Sequence, residues 1–94
     1  MPLETLPFDP ALYLTDAAAQ AELIDDALAS GNAAYIANAL GVVARARGMS
    51  NVSRVAGLSR ESLYKALSQE GNPELSTVLK VLHALGLRLS VHAA

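Results

Sequence analysis

The chain contains no cysteine and no tryptophan, and only four aromatic residues, Phe8, Tyr13, Tyr35 and Tyr64. Without cysteine there is neither a disulfide framework nor a thiolate metal site. So few aromatics in a chain that is 52% hydrophobic suits alanine- and leucine-rich helices better than an all-β sandwich. No apolar run approaches membrane-spanning length, and no basic stretch leads into a hydrophobic one at the N-terminus. The expectation is a soluble cytoplasmic protein with no membrane association. Catalytic groups are equally scarce. His83 and His92 are the only imidazoles, no metal-ligand spacing is present, and Asp25 and Asp26 are helix neighbours whose side chains diverge. The serines have no histidine base beside them and there is no glycine-rich phosphate loop, so neither an enzyme nor a cofactor is expected.

Positive charge is missing from the first 44 residues altogether. They carry −6, from Glu4, Asp9, Asp16, Glu22, Asp25 and Asp26. The seven basic residues (Arg45, Arg47, Arg54, Arg60, Lys65, Lys80, Arg88) face only Glu61, Glu70 and Glu74, which leaves residues 45–94 at +4. The formal net charge of −2 conceals this contrast. A polyanion is attracted to the second half and a basic partner to the first, although ordinary solvated faces also carry such charges.

What is present is a run of helical patterns. Ninety-four residues make one small domain that gains stability from dimerisation or from a partner. Within one compact unit, residues 1–31 form an acidic arm and helix, and residues 32–94 hold the remaining helices. The arm carries Pro2, Pro7 and Pro10, yet its Leu6, Phe8, Leu12, Tyr13 and Leu14 are apolar enough to dock on something. Thr15 caps helix one, Asp16 complements its dipole, and Leu23, Ile24, Ala27 and Leu28 form its stripe up to Gly31. Asn32 opens helix two, in which Tyr35, Ile36, Leu40 and Val43 recur until Gly48. Gly41 within it costs about 1 kcal/mol against alanine, which points to a closely packed neighbour.

The segment from Gly48 to Pro73 has the shape of a helix-turn-helix. Ser50 caps a short helix with Val52, Val55 and Ala56 inward, and Gly57 makes the bend. Leu58 packs inward. Ser59 caps the second helix, Leu63, Ala66 and Leu67 face the core, and Arg60, Glu61, Ser62 and Lys65 face outward. Asn72 caps helix five, Pro73 takes its first position, Glu74 favours its dipole, and Leu75, Val78, Leu79, Leu82 and Leu85 form one apolar face before Gly86. Leu87, Leu89 and Val91 then alternate with polar residues as a half-buried strand does. Such a strand pairs with the N-terminal arm or with its copy in a second subunit; we favour the copy, which makes the symmetric dimer that a palindromic site requires.

The blocks ARARGMS, VAGLSRESLYKALS and GNPELSTVLKVLHALGLRLSV, with the N-terminal FDPALYL, resemble the HigA-like antidotes (antitoxins) of addiction modules. The resemblance covers nearly the whole chain and departs at Ser53, where helix-turn-helix proteins usually have alanine. It implies an all-α, lambda-repressor-like (XRE-type) fold of about five helices with a short C-terminal β-strand. It also implies a homodimer that neutralises a RelE/ParE-like (HigB-like) toxin by direct binding and represses its own operon at a palindromic double-stranded DNA operator. A stand-alone phage-type transcriptional regulator without a toxin is the alternative, and a protein-binding module without DNA use a third.

For DNA, Arg60 and Ser62 in the first turn of the reader helix are the candidates for base contact, arginine because its fork matches guanine O6 and N7. Glu61 either accepts from a cytosine amino group or answers the helix dipole. Ser50, Asn51, Arg54, Ser59, Lys65 and Asn72 are the candidates for backbone contacts, and Tyr64 packs under the reader helix or touches the sugar-phosphate edge. Leu87, Leu89 and Val91 are the dimerisation candidates. Phe8, Tyr13, Asp16, Glu22, Asp25 and Asp26 are the candidates for toxin contact, since an acidic first half complements a basic, RNA-directed toxin.

Overall fold

A computed structural model describes residues 16–68 and 70–94. The N-terminal arm, with Phe8, Tyr13 and the expected cap Thr15, lies outside these residues. Five helices follow one another: α1 (Ala17–Ser30), α2 (Ala33–Arg47), α3 (Met49–Ala56), α4 (Arg60–Ala66) and α5 (Leu75–Ala84).

Helix α2 is the axis of the structure. Six consecutive residues, Ala39 to Ala44, are buried, so it is covered on all sides at its middle. α1 packs along it, α3 packs against its far end, and α3 in turn holds α4 and α5. Ile24, Leu40, Val43, Met49, Val52, Leu63, Leu67, Val81, Leu82 and Leu85 share a single core. Gly41 explains itself here. A Cβ at that position would stand 2.8 Å from the Leu67 carbonyl oxygen, so the end of α4 reaches α2 only because residue 41 has no side chain.

Two of the expected helix starts hold. Asn32 Oδ1 accepts from the Tyr35 amide at 3.0 Å, and Ser59 Oγ accepts from the Ser62 amide at 3.0 Å. Three shift. Asp16 is itself the cap of α1, with Oδ1 accepting from the Ala18 amide at 3.1 Å. α3 begins at Met49, so Ser50 lies within it and caps nothing. The Gly48 carbonyl accepts from the Val52 amide at 3.0 Å, and at φ 102° the same glycine closes α2 and opens α3. α5 begins at Leu75, and its cap is Glu74 in extended backbone rather than Asn72, which leaves Pro73 outside the helix.

The inward faces of α3 and α5 are rotated from those expected. Met49, Val52, Ser53 and Ala56 face the core at helical spacing, whereas Val55 is 46% exposed. Ser53 fits there because its hydroxyl donates to the Ser50 carbonyl at 3.0 Å, which leaves no unsatisfied group in place of the usual alanine. In α5, Val81 joins Val78 and Leu82 in the core, while Leu75 and Leu79 are exposed.

Both α3 and α5 end in the same way. Leu58 N–H donates to the Ser53 carbonyl around Gly57 (φ 73°), and Leu87 N–H donates to the Leu82 carbonyl around Gly86 (φ 74°), each a Schellman closure. The first turns the chain into α4. The second launches residues 87–94, which form no strand, contrary to the expectation for Leu87, Leu89 and Val91. A strand needs a ladder partner, and among the described residues of one chain no edge is offered to it.

Candidate nucleic-acid interface

Helix α4 is held from behind and free in front. Leu63 is fully buried and Leu67 nearly so, and both belong to the core that α2, α3 and α5 share. Arg60, Glu61, Ser62, Tyr64 and Lys65 all face solvent. The cap fixes the first turn, because Ser59 Oγ, besides accepting from the Ser62 amide, donates to Ser62 Oγ at 2.9 Å. Ser62 therefore presents an oriented hydroxyl.

Arg60 is placed by a partner that the sequence reading did not give it. Its guanidinium lies 5.7 Å from the centroid of the Tyr64 ring, one turn on, with Nη2 at 3.5 Å from the tyrosine hydroxyl. Tyr64 is 46% exposed, so it does not pack beneath the helix as expected. The arginine–tyrosine spacing of four residues was the available signal. Arg54 is similarly held, Nη2 donating to Asn51 Oδ1 at 2.5 Å within α3.

Three of the residues expected at DNA share one cleft. Ser62, Lys65 and Asn72 line a cavity of about 510 Å³ between α4 and the start of α5, together with Glu70 and Glu74. Gly71 makes the cleft possible, since a Cβ there would overlap the Ala66 carbonyl oxygen at 2.3 Å. Ser50, Asn51 and Arg54 are exposed on α3 but do not line this cleft. Among the described residues no group of three or more histidine, aspartate or glutamate side chains is placed to hold a metal ion.

Another surface carries the acids. Glu22, Asp25 and Asp26 lie on the outward face of α1, opposite buried Gln20, Ile24 and Ala27. Asp26 Oδ2 accepts from the Tyr35 hydroxyl at 2.6 Å, and this hydrogen bond raises the tyrosine pKa above its ordinary value. Asp25 also borders a groove of about 590 Å³ between α1 and the C-terminal segment, where Ile24, Leu28, Leu87, Leu89 and Val91 meet. Arg47, counted above with the basic half, has a structural post. Its Nε donates to Gln20 Oε1 at 2.7 Å and its Nη2 to the Leu85 carbonyl at 3.1 Å, joining the end of α2 to α1 and α5.

A family described as probable addiction module antidote proteins matches residues 4–93. An uncharacterized protein of Haemophilus influenzae is 48% identical over 84 residues, 89% of this chain and 87% of that protein. No solved structure gives a significant match. The chain belongs to the family of probable addiction module antidotes.

Proposed function

We propose that this member of the antidote family is a HigA-like antitoxin of a type II module, in which a cognate toxin and an operator bind different faces of one homodimer. An addiction-module antidote implies a toxin partner. The toxin is of the RelE/ParE-like (HigB-like) kind, met by Glu22, Asp25 and Asp26 on the outward face of α1 and by the N-terminal arm. The operator is met by α4 as the second helix of a lambda-repressor-like helix-turn-helix, with Arg60, Ser62 and Glu61 toward base edges. Lys65, Asn72, Ser59, Ser50, Asn51 and Arg54 hold the phosphates.

The observation that carries the DNA reading is the disposition of α4. Its back is locked in the core by Leu63 and Leu67, while its capped first turn projects Arg60 and Ser62 into solvent. A reader helix needs that combination, because base discrimination is lost if the helix can tilt. The carboxylates of Glu70 and Glu74 in the neighbouring cleft limit non-specific affinity for phosphate and leave discrimination to these few contacts.

Fluorescence anisotropy with the duplex immediately upstream of the gene, against a scrambled duplex at two salt concentrations, tests this reading. Saturable, salt-sensitive preference for the upstream duplex is expected. Arg60→Ala should cost roughly 1–3 kcal/mol and relax preference at one base pair, whereas Lys65→Ala weakens all sequences alike. Equal, sequence-independent losses for both variants would overturn the base-contact assignment. Co-expression with the adjacent reading frame tests the other half: rescue from growth arrest with co-purification supports the antitoxin, and operator binding without either supports a stand-alone regulator.

A further inference from the structure

The outward face of α4 is ordered by its own residues. Ser62 is fixed by the Ser59 cap, and Arg60, at the first helical position, has its guanidinium 5.7 Å from the centre of the Tyr64 ring. The helix dictates this meeting. Residues four apart share a face, and a long helical side chain leans back toward the N-terminus, so the ring of residue 64 covers the turn from which Arg60 leaves. Leu63, fully buried, anchors the backbone beside the ring. At 3.5 Å the contact of Nη2 with the tyrosine hydroxyl is at the limit of a hydrogen bond, so the face of the ring carries the pairing. Both side chains are exposed and neither belongs to the shared core. The pair is therefore not what holds α4 on its scaffold.

We propose that Tyr64 is a positioning residue for base recognition: its ring presets the Arg60 guanidinium for the edge of a guanine, while Tyr64 itself touches no base. The inference rests on the operator reading of α4 and deepens it. A free arginine side chain loses rotamer freedom when it docks, and whatever order the ring imposes beforehand no longer has to be imposed by DNA. The ring suits this task because it is uncharged. A carboxylate in its place would also hold the guanidinium, but would neutralise the charge that DNA must meet. Guanine O6 and N7 accept from a planar fork, so a guanidinium confined to one side of the helix discriminates more sharply than one that is free to swing to a phosphate.

Fluorescence anisotropy with the upstream duplex and its single-base variants tests the proposal. The full chain is compared with Tyr64→Leu, Tyr64→Phe, Arg60→Ala and the double variant that combines Arg60→Ala with Tyr64→Leu. Tyr64→Leu should narrow the preference by roughly 2- to 5-fold at the base pair that Arg60→Ala relaxes. Its affinity for a scrambled duplex should stay that of wild type. Tyr64→Phe keeps the ring and should keep the preference. In the double variant the change at Tyr64 should add nothing to the loss from Arg60→Ala, because a positioning residue acts only through the residue it positions. Unchanged circular dichroism and melting temperature show that the variants remain folded. A loss equal on all duplexes, a wild-type preference in Tyr64→Leu, or a loss that persists in the Arg60→Ala background would each overturn the proposal, the last by placing the ring on DNA itself. A measurement without DNA separates this failure from failure of the operator reading. Nuclear magnetic relaxation at the arginine Nε–H groups should show Arg60 more restricted in wild type than in Tyr64→Leu. Equal mobility in the two would overturn the positioning whatever the DNA results. Restriction that depends on Tyr64, in a protein with no base preference, would overturn the operator reading, and with it the use of Tyr64 in recognition.

Discussion

Replacing Arg47 by methionine keeps most of the apolar stem and removes the guanidinium, which separates packing from hydrogen bonding. Two acceptors lose a donor: Gln20 Oε1, on a side chain only 2% exposed, and the Leu85 carbonyl at the end of α5. A charge-assisted hydrogen bond contributes about 1.5–3 kcal/mol, and a buried acceptor left without that donor carries a desolvation cost of similar size. Arg47 itself is exposed, so water replaces part of what its guanidinium supplies. The net loss is then about 2–3 kcal/mol, which in a domain of this size lowers Tm by roughly 10–20 °C. Denaturant and thermal melts of wild type, Arg47→Met, Gln20→Leu and the double variant give the answer. The double variant removes donor and acceptor together, so it should be more stable than the two single losses add up to, with a coupling of at least ~1 kcal/mol. A wild-type melt for Arg47→Met, or strictly additive losses, would refute the bridge and return Arg47 to the solvated basic face.

Gly41→Ala sets helix propensity against space. Alanine gains about 1 kcal/mol in a helix, but its Cβ would meet a backbone oxygen at 2.8 Å that no rotamer can move. Urea melts should show net destabilisation of about 1–2 kcal/mol, and a stabilised variant would contradict the close approach of α4 to α2. Ser59→Ala removes the cap of α4 and should cost about 1 kcal/mol, measured by chemical denaturation; no loss would mean that α4 is held by Leu63 and Leu67 alone. The Tyr35 hydroxyl donates to Asp26, which raises its pKa, so stability from this contact is full below the ordinary tyrosine pKa and is lost as pH rises through the elevated one. Ultraviolet titration should therefore show a late ionisation that disappears in Tyr35→Phe; its persistence there would refute the contact with Asp26 as its cause.

Punctuation in the sequence was legible where a side chain acts on its own backbone. Asn32, Ser59, Gly31, Gly57 and Gly86 mark boundaries because capping and positive φ are decided within a few residues. Gly48 closes α2 as expected, but it also opens α3, and Ser50 looked like a cap only if a linker separated the two helices. Facing was less legible. Five apolar residues on α5 cannot all turn inward when only one side of the helix has a neighbour, and the sequence does not say that Val81 rather than Leu79 wins that place. The same limit applies to the interface. Arg60, Ser62 and Lys65 follow from outward positions on a short helix, but the ring under Arg60 and the carboxylates beside Lys65 depend on how helix and loop fold together. Arg47 shows the cost of counting charge without geometry, since a cation at the edge of the basic half is committed to Gln20 and Leu85.

That bridge also bears on whether toxin and operator could occupy one chain together. On α1, Gln20, Ile24 and Ala27 turn inward, and Glu22, Asp25 and Asp26 lie on the opposite side of the helix at steps of about 100° per residue. Asp16 is spent on its own helix cap, so the carboxylates left for a basic partner are those facing away from the core. In the packing order α2 stands between α1 and α3. On the proposed reading, a toxin that takes Asp26 competes with its hydrogen bond to Tyr35, so the acidic face is coupled to α2 through that one contact.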